Sequence, residues 1–202
     1  MDYAVKKGLP QDISRKVVHI AAGSWLLFWP LFDQSHWTKY LNISPALLWT
    51  ILLLLKGFTA EPDDKAVKIM TRTGDRKELL RGPLYFTIVM NIMGTAFLYS
   101  LNAVIAMGFL SWGDGLAPVI GKNYGRHKYK IFSEKSLEGS LAFWFFGIIG
   151  CLIFSIILFG RINFEFIIIT AFVTTLVEGF SPSNWDNILV PASAMLVSYF
   201  YL

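Results

Sequence analysis

About seven apolar stretches, separated by short polar connections, run through most of a 202-residue chain, and they constrain its fold more than any motif does. They fall near 17–32, 43–57, 83–101, 103–120, 140–159, 164–180 and 188–202. A bilayer core takes about 20 apolar residues per helix, and several of these stretches are short enough to need little tilt or a thinned bilayer. With 54% hydrophobic and 16% charged residues and a mean hydropathy of +0.51, the chain carries more apolar surface than a soluble domain of this size can bury. The expectation is all-α: a polytopic, multi-pass integral membrane bundle of about seven transmembrane helices, with 1–202 as a single membrane-embedded domain.

Charge gives this bundle an orientation. Of 18 Lys and Arg, fifteen lie in three regions: Lys6, Lys7, Arg15 and Lys16 at the N-terminus, six between Lys65 and Arg81, and five between Lys122 and Lys135. Seven spans put all three regions on one face, so the positive-inside rule predicts a cytoplasmic N-terminus and two cytoplasmic polar loops. A basic rim against lipid explains many of these cations, and no nucleic-acid partner is expected. The first stretch resembles a secretory signal, but Asp33-Gln34-Ser35-His36 follows it without a small-residue cleavage site, so it is read as retained. The single cysteine, Cys151, lies within a stretch and permits neither an internal disulfide nor a thiolate cluster.

Acids are a sharper signal, because topology does not require them. Asp114 and Glu178 are each predicted near the C-terminal end of a segment that runs toward the cytoplasm, where the helix dipole disfavours a carboxylate. Both begin the same local string, acid-Gly-apolar-small-Pro: Asp114-Gly115-Leu116-Ala117-Pro118 and Glu178-Gly179-Phe180-Ser181-Pro182. The repeat is either chance or the trace of two like-oriented halves. A divalent cation offsets two such carboxylates, and Mg²⁺ held by one or two carboxylates plus substrate phosphates is the usual arrangement in phosphoryl transfer. Asp186 is a third candidate ligand, with N-cap duty as its alternative, and Asn187 beside it suits a ribose, a base, a metal-bound water or a plain helix start.

After Asp114 comes a glycine-rich basic run with Gly121, Lys122, Gly125 and Lys128, ending at Ser133-Glu134-Lys135-Ser136-Leu137-Glu138-Gly139-Ser140. Lys135 stands just before a helix start, where the dipole disfavours a cation and a nucleotide phosphate would satisfy both the lysine and the free N–H groups. Ser136 serves equally as an N-cap. The stretch from Gly115 to Lys122 has one residue too many between its glycines for a Walker A loop, and no protein-kinase motifs occur. Arg15, Lys16 and His19 share one helical surface; snorkelling and an interhelical hydrogen bond are the plain readings, catalysis the sharper one.

Taken together, Ser14-Arg15-Lys16-Val17-Val18-His19, Gly113-Asp114-Gly115 with Gly121 and Gly125, Lys135-Ser136-x-Glu138-Gly139-Ser140, and Val177-Glu178 followed by Asp186-Asn187 resemble the polyprenol kinase family. That family includes dolichol kinase, phytol kinase and CTP-dependent diacylglycerol kinase. The string from Met70 to Tyr85, with Arg72-Thr73-Gly74-Asp75-Arg76-Lys77-Glu78 and Arg81-Gly82-Pro83, is similar to the phytol and farnesol kinase branch. The resemblance implies transfer of the terminal phosphoryl group of CTP to the hydroxyl of a membrane-dissolved isoprenoid alcohol, at a site on the cytoplasmic face. It places Arg15, Lys16, Asp114 and Gly121 in the nucleotide site, and its strings add Gly113, Ser136, Glu138 and Asn187.

Within that frame Asp114, Glu178 and Asp186 are the Mg²⁺ ligands. Lys128, Lys135 and the backbone at Gly121 and Gly125 hold phosphates, and a carboxylate or His19 takes the alcohol proton. The 72–82 loop is a lid, a phosphate clamp or an amphipathic stretch on anionic lipid. The competing readings are a diacylglycerol kinase, a lipid cytidylyltransferase that releases pyrophosphate, and a non-enzymatic transporter. Acids gathered at one surface argue against the last. Oligomeric state is left open.

Overall fold

A computed structural model describes residues 11–201. Lys6 and Lys7, two of the cations that set the predicted orientation, lie outside the described residues. Helical stretches occupy the positions of the seven apolar runs, but their ends differ. Helix α1, Gln11–Gly23, begins before the apolar run and so takes Arg15, Lys16 and His19 inside it. Two 3₁₀ segments, Ser24–Leu31 and Trp37–Ile43, lead to α2, Ser44–Thr59, whose first turn carries Pro45, where a missing N–H costs nothing. A short α3, Lys65–Met70, capped by Asp64, and a 3₁₀ turn, Arg76–Leu80, capped by Asp75, precede α4, Gly82–Ala96.

Next come α5, Leu101–Gly108, a π-helical turn, Phe109–Gly113, and α6, Asp114–Tyr124, which run on as one helix of 24 residues. An antiparallel hairpin follows, β1 Lys128–Lys130 and β2 Glu134–Ser136, with Tyr129 opposite Lys135. It corrects a purely helical expectation: the fold is all-α with one two-stranded ribbon. Helix α7, Leu137–Phe159, ends at Gly160 with φ +63°, the left-handed cap that glycine adopts without strain. Helices α8, Phe164–Phe180, and α9, Asp186–Tyr201, complete the chain.

Three stretches are long and apolar enough to cross a membrane: Trp37–Thr59, Leu101–Tyr124 and Leu137–Phe159. The other long helices have 13 to 17 residues, and at about 1.5 Å per residue even 17 rise only about 26 Å, short of a ~30 Å hydrocarbon core. The Leu101–Tyr124 helix is the hub. Its residues 103–111 are buried throughout, packed against α1, α7 and α9. Two apolar clusters flank it: Leu26, Trp29, Phe86, Met93, Leu110 and Phe154 on one side, Phe109, Phe143, Phe166, Ile167 and Val190 on the other. Helix α2 lies at the edge and exposes Leu48, Ile51, Leu55 and Phe58. The hub therefore positions Asp114 inside the bundle, with the lysine-rich segments around it.

Candidate active site

Asp114 was expected near a helix end, where the dipole disfavours it. Instead α6 continues ten residues past it to Tyr124, so the dipole argument fails there. Its carboxylate is buried and held directly. Lys16 Nζ donates to Asp114 Oδ2 at 2.9 Å and to the Asp114 carbonyl at 2.8 Å. His19 Nε2 lies 2.8 Å from the Leu110 carbonyl and 3.2 Å from Asp114 Oδ2. A carbonyl only accepts, so Nε2 carries the proton. The π turn makes this contact available: the Asp114 N–H bonds the Phe109 carbonyl, five residues back, and leaves the Leu110 carbonyl to His19. The His19 ring lies against Phe86, 4.1 Å between centroids.

Glu178, third from the end of α8, does sit at a negative helix end. Lys135, on the hairpin, answers it by donating to Glu178 Oε1 at 2.5 Å, to the Glu178 carbonyl, and to Ser181 Oγ at 3.2 Å. Glu178 Oε2 is buried without a partner, and so is Asn187 Oδ1. Asp186 opens α9 and accepts from the Asn187 N–H at 3.0 Å and from Asn187 Nδ2 at 3.1 Å.

The repeated acid-Gly-apolar-small-Pro string acquires a physical meaning in this geometry. In each copy one lysine grips both the acid's carboxylate and the same residue's carbonyl. A helix would normally bond that carbonyl to the N–H four residues on, but position four is Pro118 or Pro182, which has none. At Asp114 the proline thus leaves the carbonyl without that N–H and Lys16 takes it; at Glu178 the carbonyl also accepts from the Ser181 N–H at 3.1 Å and the Ser181 hydroxyl at 2.8 Å, and Lys135 joins them.

The glycine-rich run also lies where two helices meet closely. A Cβ on Gly121 would come within 2.9 Å of Ser136 Oγ, and one on Gly139 within 3.2 Å of the Gly121 Cα, so Gly121 and Gly139 let α6 and α7 approach backbone to backbone. A Cβ on Gly113 would meet the Phe143 carbonyl at 3.1 Å, and one on Gly125 would run into Ser136, so these glycines too are packing positions. Ser136 is the N-cap of α7, accepting from the Gly139 N–H at 3.2 Å. Lys128 donates to the Gly121 carbonyl at 2.9 Å, and Glu138 accepts from the backbone and ring of His127. All of these residues gather at one end of the bundle.

Two cavities meet there. One, of about 880 Å³, is walled mostly by apolar groups of α1, α2 and α4, including Trp25, Trp49, Leu53, Phe86 and Met90, and its polar end carries Lys16, His19, Asp114 and Asn187. The other, of about 460 Å³, is polar and cationic: Lys122, Lys128 and Lys135 line it with Glu178, Asp186, Ser136, Gly121 and Gly139. Arg15, Lys16, Arg72 and Ser183 line both. Arg72 and Ser183 were not singled out as site residues by the sequence. The signal was present in the Met70 to Tyr85 string, whose Gly82 lies against Asn184, close enough that a Cβ there would stand 2.9 Å from Asn184 Oδ1.

Glu78 holds the Arg72 loop by accepting from the Arg72 N–H at 2.5 Å and from the Thr73 hydroxyl at 2.6 Å. Burial pushes the Glu78 carboxyl up, but the Arg72 and Thr73 N–H groups and the Thr73 hydroxyl outweigh it and hold it below its ordinary value.

Among the described residues no three of His, Cys, Asp and Glu converge to hold an ion by themselves, so Asp114, Glu178 and Asp186 are not a preformed cage. A Mg²⁺ that arrives on a nucleotide needs only one or two carboxylates. The unpartnered buried oxygens of Glu178 and Asn187 suit that case.

The chain is 35% identical over 205 residues to "Probable phytol kinase 1, chloroplastic" of Glycine max, the match covering 95% of this chain and 68% of that one. It is 28% identical to "Phytol kinase 1, chloroplastic" of Arabidopsis thaliana, over 95% of this chain and 67% of that one. It is 36% identical over 142 residues to "Farnesol kinase, chloroplastic" of the same plant, over 67% of this chain and 45% of that one. No family model matches the chain, and no solved structure does. The motifs that resemble the polyprenol kinases and these similarities agree: the chain belongs to the phytol and farnesol kinase branch of that family.

Proposed function

We propose that this protein is an isoprenoid-alcohol kinase that moves the terminal phosphoryl group of CTP to the hydroxyl of phytol, farnesol or a similar alcohol, giving the monophosphate and CDP. One observation carries the reading. A long apolar cavity and a smaller cationic cavity share Arg15, Lys16 and Arg72 at their junction, beside Asp114. That arrangement suits a greasy acceptor and a polyanionic donor whose reacting ends must touch. It is compact, pre-positioned and lined by cations where phosphate charge spreads.

The apolar walls take the chain, and the hydroxyl reaches Asp114 and His19, to which it gives up its proton; a loose transition state asks little of the base. Arg15, Arg72, Lys128 and Lys135 hold phosphate oxygens. Lys16 and Lys135 exchange a carboxylate for phosphate as the nucleotide docks, which frees Asp114 and Glu178 for Mg²⁺, with Asp186 and Asn187 beside them. The metal supplies neutralisation of charge on the donor's terminal phosphates. In the membrane, α1 continued by its 3₁₀ segment, with α4, α8 and α9 in a thinned bilayer, would complete a seven-span bundle with a cytoplasmic N-terminus and the site facing the cytoplasm.

The test is purified protein in detergent, given labelled CTP or ATP, Mg²⁺, and phytol, farnesol, geranylgeraniol, dolichol or diacylglycerol. Expected are a prenyl monophosphate and CDP, loss of turnover with EDTA, and its return with Mg²⁺. Pyrophosphate as the leaving product would make the enzyme a cytidylyltransferase, and diacylglycerol as the sole acceptor would move it to that kinase class. Asp114→Asn is expected to abolish turnover while the protein stays folded; retained turnover would remove Asp114 from the site.

A further inference from the structure

The apolar cavity is bounded by α1, α2 and α4 and reaches the surface. Its polar end is roofed by α3 and the Arg72 loop, which carry Ile69, Met70, Arg72, Thr73 and Glu78 into the lining. The roof is pinned from both flanks. Lys56 of α2 bonds both oxygens of Asp64 at 2.8 and 2.7 Å, and the Arg76 guanidinium donates to the Ala60 carbonyl at 3.0 Å. At the far end Trp25 Nε1 donates to the Asn42 carbonyl at 2.8 Å and ties the segment after α1 to the segment before α2. Helix α4 forms the back wall with Phe86 and Met90.

Between roof and floor, α1 packs against α6 and the π turn, α2 packs against α4, and the cavity lies between these two pairs. The residues that line it on the open side are themselves at the surface: Val17 is 49% exposed, Trp49 is 41% exposed, and Ala21 is exposed. Val17 and Ala21, the exposed lining residues of α1, stand about 6 Å apart along the helix at ~1.5 Å per residue.

We infer that this slit between α1 and α2 is a lateral portal through which a single-chain isoprenoid alcohol enters from the bilayer, hydroxyl last to settle beside Asp114, with Val17, Ala21 and Trp49 as its jambs. Such an alcohol has almost no concentration in water, and the exposed apolar jambs face the phase where it is abundant. The polar end selects for the occupant. A phospholipid acyl chain would bring no free hydroxyl to Lys16, His19 and Asp114, and would set its methylenes against a buried ion pair. The inference rests on the kinase reading only for the chemical class of the occupant.

The test uses the full chain in proteoliposomes with a twenty-carbon isoprenoid alcohol bearing a chain diazirine, irradiated without nucleotide. Expected is labelling of the peptides that carry Val17, Ala21 and Trp49, suppressed by excess phytol. Labelling spread over the outer face of α2, at Leu48, Ile51 and Leu55, and unaffected by phytol would overturn the portal, as would no labelling at all. Ala21→Trp narrows the slit and is expected to lower the ratio of twenty-carbon to five-carbon alcohol turnover at least tenfold, because a five-carbon alcohol also arrives from water. An unchanged ratio counts against the portal. Competed labelling at the jambs without phosphorylation on adding nucleotide and Mg²⁺ would leave the portal standing and refute the kinase.

Discussion

Lys16 and Asp114 form a buried ion pair whose worth is measurable. Lys16→Met keeps the length and apolar character of the lysine stem but removes both donors, at 2.8 and 2.9 Å, from a carboxylate that is only 4% exposed. Removing one partner of a buried pair costs about 3–5 kcal/mol, because the remaining charge stays buried without compensation. His19 Nε2, still 3.2 Å from the same oxygen, puts this case at the low end, about 3 kcal/mol. For a chain of this length 1 kcal/mol shifts the melting temperature by roughly 2–4 °C, so a fall of about 6–12 °C is expected in one fixed detergent. The second half of the cycle is the sharper part. Asp114→Asn alone strands the ammonium, whereas Lys16→Met with Asp114→Asn leaves no charge uncompensated. The double variant should therefore recover about 1–3 kcal/mol relative to the sum of the singles. The assay is thermal unfolding followed by tryptophan fluorescence. Additivity within about 0.5 kcal/mol, or a Lys16→Met shift under about 2 °C, would refute the pairing.

Lys135→Ala removes the one lysine that grips Glu178 and is expected to raise the KM for nucleotide and lower the melting temperature together; a normal KM and kcat would return Lys135 to the role of surface cation. Gly121→Ala brings a methyl within 2.9 Å of Ser136 Oγ and should cost about 1–3 kcal/mol in thermal unfolding, whereas an unperturbed melt would mean α6 and α7 do not meet backbone to backbone. Glu78 is held below its ordinary value in the folded chain, so its clasp contributes fully above the unfolded-state value and is lost as pH falls through the folded one. Protection of the 71–81 amides, measured against their intrinsic exchange rates, should accordingly fall at acid pH, and Glu78→Gln should bring the fast exchange to neutral pH. A Glu78→Gln protein with slow exchange at neutral pH would show that the carboxylate does not hold the loop.

The positions of the helices were readable because apolar runs at membrane-like length admit little else. Their ends were not. Lys128–Lys130 alternates around the single ring of Tyr129 and Glu134–Ser136 has no apolar residue, so three-residue strands give too little pattern to announce a hairpin. At Asp114 the reading of a helix end came from the limits of the apolar run, and the helix in fact continues to Tyr124 through Gly115 and Pro118, which a buried hub tolerates because tertiary packing outweighs propensity. Glu178 was placed correctly at its helix end because Pro182 there really does follow the last turn. The partners of the two acids were invisible for a simpler reason. Lys16 and Asp114 are 98 positions apart, and Lys135 and Glu178 are 43 apart, so no local spacing encodes either contact. Glycine permits close approach of any kind, so the sequence could not show that Gly121 and Gly139 also bring α6 and α7 together.

The proline of the repeated string offers the most direct test of how the site is built. Pro118→Ala restores an N–H four residues after Asp114, aimed at the carbonyl that Lys16 now uses. In the interior of a helix this exchange removes a penalty of up to about 3 kcal/mol, so the melting temperature should rise or hold. Yet the same change gives the Asp114 carbonyl a competing donor and loosens the lysine from one of its two anchors. If Lys16 must stand where carboxylate and phosphate both reach it, turnover should fall as stability rises, with the loss expressed in kcat or in the KM for nucleotide and not in the folded fraction. A variant both more stable and fully active would show that the carbonyl contact is incidental, and that the proline recurs at that position without consequence for the site. Lower stability would refute the premise itself, because it would mean that the helix already satisfies Asp114 through its own backbone.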